Sequence, residues 1–361
     1  MWMFIFMALP LLGIAYVSWH LWTLVPLSHT FRVLLITLLI ASFLLLFCNF
    51  SRLVDTFPLW LARVVYDIGN SSIFVLLYLT LFFLFLDLAR LVRLVPVSWL
   101  QHNFYTTVII TVGMFALFLY GNIHYRNKIR VELELSTQKA LDKPIKMVML
   151  SDLHLGYHNP RKELARWVDM INAEQPDVVL IAGDIIDMSI RPLVEENMAE
   201  EMRRIEAPVY ACLGNHEYYT GEPLAQQFYR DAQIHLLRDT CVTVGNLCIV
   251  GRDDRTNRKR CAIQQLAHQA DNSKYTIVLD HQPYQLELTE QAGFDFQFSG
   301  HTHEGQVWPI SWITNSIYEC AFGQYQRGNT RYYVSSGMGI WGGKFRIGTR
   351  SEYIVAELKN K

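Results

Sequence analysis

The sequence lacks the features that mark several large classes of protein. Basic residues are not in excess: 32 Lys and Arg stand against 33 Asp and Glu. A broad nucleic-acid surface needs surplus cations to displace counterions, so none is expected here. Only six cysteines occur in 361 residues, and none forms a C-x-x-C pair. Five of them (Cys212, Cys241, Cys248, Cys261 and Cys320) fall in the second half, an odd number without zinc-ribbon or redox spacing. Most have apolar neighbours, as buried free thiols in a reducing compartment do. The first apolar run has no basic n-region and no A-x-A-like site, which argues against a cleavable signal peptide.

What is present is unevenly spread. The first 143 residues are rich in Leu, Phe, Ile and Val and hold 10 Lys and Arg against 6 Asp and Glu; from Pro144 onward the counts are 22 and 27. Three segments are expected: a transmembrane anchor over 1–124, a linker or edge strand over 125–143, and a soluble α/β domain over 144–361. Four apolar stretches reach the length of about 20 residues that a helical crossing requires. They run from about Trp2 to Trp22, Phe31 to Phe50, Ser72 to Leu88 and Phe104 to Tyr120. Trp19, Trp22, Trp60, Trp99, Tyr105 and Tyr120 flank their ends, as headgroup-level anchors do. Four crossings put both ends of the anchor on one side, with Arg52, Arg63, Arg126, Lys128 and Arg130. The other side holds Arg32, Arg90 and Arg93, so the positive-inside rule predicts a multi-pass inner-membrane protein with a cytoplasmic soluble domain. His20 and Asp87 lie near predicted helix ends and read as snorkelling groups, not as a pore or proton relay.

From Ile145 the pattern changes to strands alternating with helices. Predicted strands at about 145–150, 177–182, 209–213, 248–251, 276–279 and 294–299 alternate with predicted helices at about 161–175 and 193–205. This rhythm implies largely parallel pairing with crossover helices. Five of these strands end in a polar cluster: Asp152 and His154; Gly183 and Asp184 with Asp187; Asn215 and His216; His281; and His301 with His303. Ligands of open α/β sheets bind beyond the carboxyl ends of the strands, so five clusters on one edge would form a single polar site. Carboxylate and imidazole together suit first-row divalent ions, and a carboxylate can bridge two of them. Two Asp, one Asn and four His suffice for two ions with positions left open.

The blocks D-x-H, G-D-x-x-D, G-N-H-E, an isolated His and G-H-x-H occur in that order over about Ile145 to Leu358. They resemble the calcineurin-like metallophosphoesterase family. The resemblance implies two mixed β-sheets sandwiched between helices, following the all-α membrane bundle. It implies that Asp152, His154, Asp184 and His303 hold one metal ion, and that Asp184, Asn215, His281 and His301 hold the other. It makes His216 the catalytic histidine and Asp187 the carboxylate that orients it. Imidazole ligands favour Mn, Fe or Zn. The implied substrate is a phosphate ester or anhydride. Similar domains act on nucleotide–lipid pyrophosphates, so a lipid-linked substrate such as a UDP-sugar lipid is expected, with membrane lipids as neighbours. Two other readings compete: a phosphomonoesterase or protein phosphatase, and a non-catalytic membrane receptor or scaffold.

Three features depart from that pattern or stand outside it. Glu304 occupies a position that is often glycine, placing a carboxylate beside the expected metals. The charged run Arg252 to Arg260 reads as a solvated loop, and Lys344, Arg346 and Arg350 are candidate phosphate contacts. Oligomeric state is left open.

Overall fold

The computed structural model describes residues 2–361, with side chains from residue 9 onward. Two compact units emerge. One runs up to Asn122 and includes Gly342–Lys344; the other comprises Ile123–Trp341 and Phe345–Lys361.

The first unit contains helices Trp2–Leu24, His29–Phe50 and Leu59–Leu91 and most of Phe104–Arg126. Among the described residues three helices are long and apolar enough to cross a membrane: His29–Phe50, Leu59–Leu91 and Phe104–Arg126. Helix Trp2–Leu24 coincides with the first of the four expected crossings; it is apolar over Leu9–Leu24, and the side chains of residues 2–8 lie outside those described. The predicted span from Ser72 to Leu88 is only the later part of a 33-residue helix. Arg63 and Asp67 interrupt the apolar run, but they do not interrupt the helix. Helices His29–Phe50 and Leu59–Leu91 meet closely at Gly69, where a Cβ would come within 2.8 Å of the backbone of Leu45 and Leu46. A small residue at a crossing is how apolar helices gain contact without a solvent-driven force. Phe43, Leu46, Leu76 and Phe83 pack inside, whereas Phe85 and Phe115 are about two-thirds exposed, 66% and 69%, as suits lipid contact.

His20 and Asp87 do not snorkel. His20 is 1% exposed, and its Nε2 lies 3.0 Å from Asp87 Oδ2, which also accepts the Tyr16 hydroxyl at 2.7 Å. His20 and Tyr16 thus share one carboxylate oxygen of Asp87 between helices, and pairing with one another is the usual way such residues are accommodated in a bundle.

The second unit is layered. Its strands are β1 (Lys128–Thr137), β2 (Ile145–Leu150), β3 (Val178–Ala182), β4 (Val209–Cys212), β5 (His235–Leu236), β6 (Thr240–Val244), β7 (Leu247–Gly251), β8 (Tyr275–Leu279), β9 (Phe296–Ser299), β10 (Gly323–Arg327), β11 (Thr330–Val334) and β12 (Ser351–Asn360). They form two six-stranded sheets, ordered β1-β12-β2-β3-β4-β5 and β10-β11-β9-β8-β7-β6. Both are mixed: β12 runs antiparallel to β2, and β6 and β10 run antiparallel to their neighbours. Strand β1 lies at an edge, parallel to β12, and alternates exposed Glu132 and Glu134 with buried Leu133 and Leu135.

Met147, Met149, Leu180, Ile249, Ile277, Phe298 and Ile354 interlock between the sheets. Helices cover the outer faces, with Leu164, Trp167, Phe228 and Tyr229 packed on the first sheet and Ile263 and Leu266 on the second. The central strands are buried on both faces, which explains their continuous apolar runs. One expected helix is broken. The stretch 193–205 falls into Arg191–Glu195 and Met198–Met202, because Asn197 takes the left-handed conformation (φ 52°) between them. Asparagine tolerates that region better than most residues.

Candidate metal centre

Every candidate site residue lies just beyond a strand's carboxyl end. Asp152 and His154 follow β2, Asp184 and Asp187 follow β3, Asn215 and His216 follow β4, His281 follows β8, and His301 and His303 follow β9. Five of these, Asp152, His154, Asp184, His301 and His303, have positive φ values between 45° and 71°. Such backbone is costly for non-glycine residues and persists where surrounding contacts fix it. Here the loops brace each other. The backbone N–H groups of Asp152, His154 and Leu155 donate to the carbonyls of Gly183, Asp184 and Ile185, and His301 N donates to Asp152 Oδ1 at 3.0 Å. A Cβ on Gly214 would collide with Asp184, so only glycine lets the two loops approach this closely.

The side chains fall into two groups that meet at Asp184. In one, His154 Nε2 lies 3.1 Å from His303 Nε2, and Asp152 Oδ1 lies 3.5 Å from His303 Nε2 and 3.9 Å from His154 Nε2. In the other, Asp184, His281 and His301 converge, with Asp184 Oδ2 3.1 Å from His281 Nε2. Asp184 Oδ2 is also 3.7 Å from His154 Nε2, so one oxygen serves both groups. The other oxygen, Oδ1, accepts the backbone N–H of His216 at 2.9 Å, which holds Oδ2 toward the cluster.

The hydrogen-bond inventory fits cations. His281 Nδ1 lies 2.7 Å from the Ala182 carbonyl and must donate to it. In the neutral ring this leaves the Nε2 lone pair facing a carboxylate oxygen, and both groups are buried. His154 is similar: Nδ1 donates to Asp187 Oδ1 at 3.2 Å, and Nε2 faces another imidazole nitrogen. Asn215 Oδ1 is buried with no donor. Electron pairs crowded at about 3–4 Å are what donors around a shared cation with bonds of about 2.0–2.2 Å require.

Asp187 has more partners than expected. Its Oδ1 holds His154 Nδ1 and lies 3.2 Å from His216 Nδ1, although the latter contact is poorly aligned for a hydrogen bond. Burial by itself would raise Asp187, but its contacts with His154 and His216 outweigh that and hold it well below the usual carboxylate range. For His216 burial opposes the charged form, yet the nearby Asp184 and Asp187 carboxylates prevail and push it up to about 9. His216 also lies within ligating distance of His154 and Asp184, so geometry by itself admits it as a ligand.

Other residues of the neighbourhood were not legible in the sequence. Glu217 is completely buried; its carboxylate accepts the backbone N–H groups of Gly214 (2.7 Å), Asp184 (3.0 Å) and Ile186 (3.0 Å), clamping two site loops. The G-N-H-E block displayed this residue, but nothing in the spacing revealed three backbone partners. Glu217→Ala would leave three buried donors to find new partners, at about 1–3 kcal/mol each if none is found. A fall in thermal midpoint of about 6 °C or more is expected by calorimetry of the purified full-length protein, together with weaker metal retention.

Arg346 corrects another expectation. It is fully buried, and its guanidinium donates to the carbonyls of His303 (2.6 Å), Ser336 and Gly339 and to Ser351 Oγ. It supports the His303 loop from behind and is not presented to a phosphate. Arg350 pairs with Glu352 at 2.9 Å, and Lys344 belongs to the other unit. The Arg252–Arg260 run is not a solvated loop throughout. Arg252 and Arg260 bracket the buried Asp280 at 3.0 and 3.1 Å, and Asp253 and Asp254 are buried, leaving Arg255, Arg258 and Lys259 exposed. A carboxylate at the end of the neighbouring strand β8, about 20–30 residues further along the chain, supplies the partner, which no local pattern indicates. Glu304 is half-buried, and its burial pushes it up to about 7.

Residues 145–305 match the family model of the calcineurin-like phosphoesterases. The chain carries a calcineurin-like phosphoesterase domain. Among curated relatives, a metallophosphoesterase of Helicobacter pylori is 33% identical over 227 residues, 61% of this chain and 61% of that protein. A Campylobacter jejuni metallophosphoesterase is 31% identical over 229 residues with the same coverage. A Danio rerio protein named as a transmembrane protein with a metallophosphoesterase domain is 28% identical over 335 residues, covering 85% of this chain and 76% of its own length. The match to the two bacterial relatives thus spans about three-fifths of their length. In this phosphoesterase domain the family match ends at residue 305, immediately after the G-H-x-H loop.

Proposed function

We propose that this chain is a membrane-anchored phosphohydrolase that uses two divalent metal ions to cleave a phosphodiester or phosphoanhydride bond in a lipid- or nucleotide-linked substrate. The observation that carries the reading is the pair of His/Asp groups sharing Asp184 Oδ2. Asp152, His154, Asp184 and His303 would hold one ion; Asp184, Asn215, His281 and His301 the other. Bound there, two such ions would supply a lowered pKa for the attacking water and compensation of charge on the phosphoryl group. The chain's own residues then have separate tasks. His216 meets the phosphoryl or leaving oxygen with a hydrogen bond or proton, and Asp187 orients it while fixing the His154 tautomer. A carboxylate behind a ligating histidine is a common means of setting ring orientation. Four imidazoles favour Mn, Fe or Zn over Mg alone.

The purified full-length protein in detergent with Mn is expected to hydrolyse bis-p-nitrophenyl phosphate faster than p-nitrophenyl phosphate, and EDTA is expected to abolish both. A preference for the monoester would favour the phosphomonoesterase reading. Two retained ions with neither ester hydrolysed would favour a receptor or scaffold. The five-to-three count of flanking basic residues supports a cytoplasmic catalytic domain. A reporter fused after Lys361 is expected to behave as cytoplasmic, and strong activity of an exported reporter would reverse that orientation.

A further inference from the structure

The helix Ile310–Ile317 is turned inside out. It buries its small polar residues Ser311 and Thr314 against the domain and exposes Trp312 at 66%, Ile313 at 54% and Ile317 at 60%. At 100° per residue these three fall within an arc of about 140°. Trp308, also exposed, packs edge-on against Trp312 with ring centroids 5.4 Å apart and extends the patch beyond the helix start. No charged residue lies between Glu304 and Glu319. Scattered exposed hydrophobic residues are ordinary; a contiguous set of two indoles and two isoleucines with no charge among them marks an interaction site.

Its position narrows the choice of partner. Four residues separate the turn His303–Gly305 from the helix start, and a Cβ on Gly305 would strike the backbone of Ile310 and Ser311, so helix and turn are packed as one piece. At its other end Tyr318 places its ring 6.4 Å from that of His301 and shares a hydroxyl hydrogen bond of 3.0 Å with Tyr284. The helix, about 12 Å long, therefore flanks the cluster between its two G-H-x-H histidines. An uncharged face complements an uncharged ligand. Among the described residues of the same chain three helices are suited to a membrane, where such ligands reside.

We infer that this face seats the hydrocarbon chain of a lipid-linked phosphate whose phosphoryl group is bound at the metal centre. The inference rests on the phosphohydrolase reading and assigns its substrate to the lipid class. Trp308, Trp312, Ile313 and Ile317 then determine specificity without taking part in the chemistry.

The test compares two diesters with the same leaving group, ethyl p-nitrophenyl phosphate and hexadecyl p-nitrophenyl phosphate. Both are presented to the full-length protein in mixed detergent micelles at fixed surface concentration. The wild type is expected to prefer the hexadecyl ester in kcat/KM. The double variant Trp312→Ser/Ile313→Ser is expected to lose about 10–100-fold on the hexadecyl ester, the scale of two large side chains no longer burying apolar surface. It should remain within about twofold on the ethyl ester, which also serves as the folding control. Ile317→Ser should show a smaller loss of the same kind. Equal losses on both esters, or no loss on either, would overturn the inference. So would unchanged kinetics accompanied by a change of oligomeric state, which would assign the face to a second copy. A wild type that hydrolyses the ethyl ester without preferring the hexadecyl one overturns this inference alone; a wild type that hydrolyses neither overturns the phosphohydrolase reading as well.

Discussion

Replacing His216 by alanine is expected to remove about 10²–10⁴ of the turnover while both metal ions and the thermal midpoint are retained. That range is typical for loss of a positioned proton donor or transition-state hydrogen bond. The geometry makes the experiment decisive. His216 is close enough to His154 and Asp184 to be counted with them as a ligand, yet its Nδ1 lies 3.2 Å from Asp187 Oδ1. Metal analysis separates the two roles: loss of an ion in His216→Ala would place the residue in the ligand set. Asp187→Asn should be milder in rate. A carboxylate stabilises the imidazolium, so its removal lowers the His216 pKa. A reaction that needs His216 protonated then fails at a lower pH, and the alkaline limb of the pH–rate profile moves downward. Because Asp187 also holds His154, this variant should additionally bind metal more weakly, which His216→Ala should not.

The second large effect is expected from Asp184→Asn. Asp184 Oδ2 faces both groups of ligands, while Oδ1 is held by the backbone of His216. An amide keeps the shape but loses the charge and one acceptor, so it cannot serve two cations. Loss of an outer partner of a ligand typically weakens metal binding 10–100-fold; a shared ligand should exceed that. Metal content is expected to fall at both sites, with activity reduced by more than roughly 100-fold. His301→Ala, by contrast, should empty one site preferentially. Retention of two tightly bound ions in Asp184→Asn would show that the sites do not share this carboxylate.

The strand ends were legible because parallel sheets impose a simple grammar. A buried strand is a short apolar run, and the first residue able to face the cleft comes directly after it. Asp152, Asp184, Asn215, His281 and His301 could therefore be placed together from the sequence alone. Helix positions were less legible. Asn197 breaks a helix through its own backbone conformation, and Arg63 and Asp67 end an apolar pattern without ending the helix that carries it.

By itself, the sequence determined the order of elements, the apolar helices and the identity of the polar residues at the strand ends, all of which follow from local periodicity and neighbouring residues. Tertiary structure alone decided the partnerships across long separations. It gave Glu217 to the loops of Asp184 and Gly214, Arg346 to the carbonyls behind His303, Asp280 to Arg252 and Arg260, and Asp87 to Tyr16 and His20. It also decided that Trp312, Ile313 and Ile317 face outward. The physical reason is the same in each case. A buried polar or charged group takes whichever partner the fold brings within about 3 Å, and an apolar residue is covered only if another element packs over it. Neither condition is written in the residues adjacent along the chain.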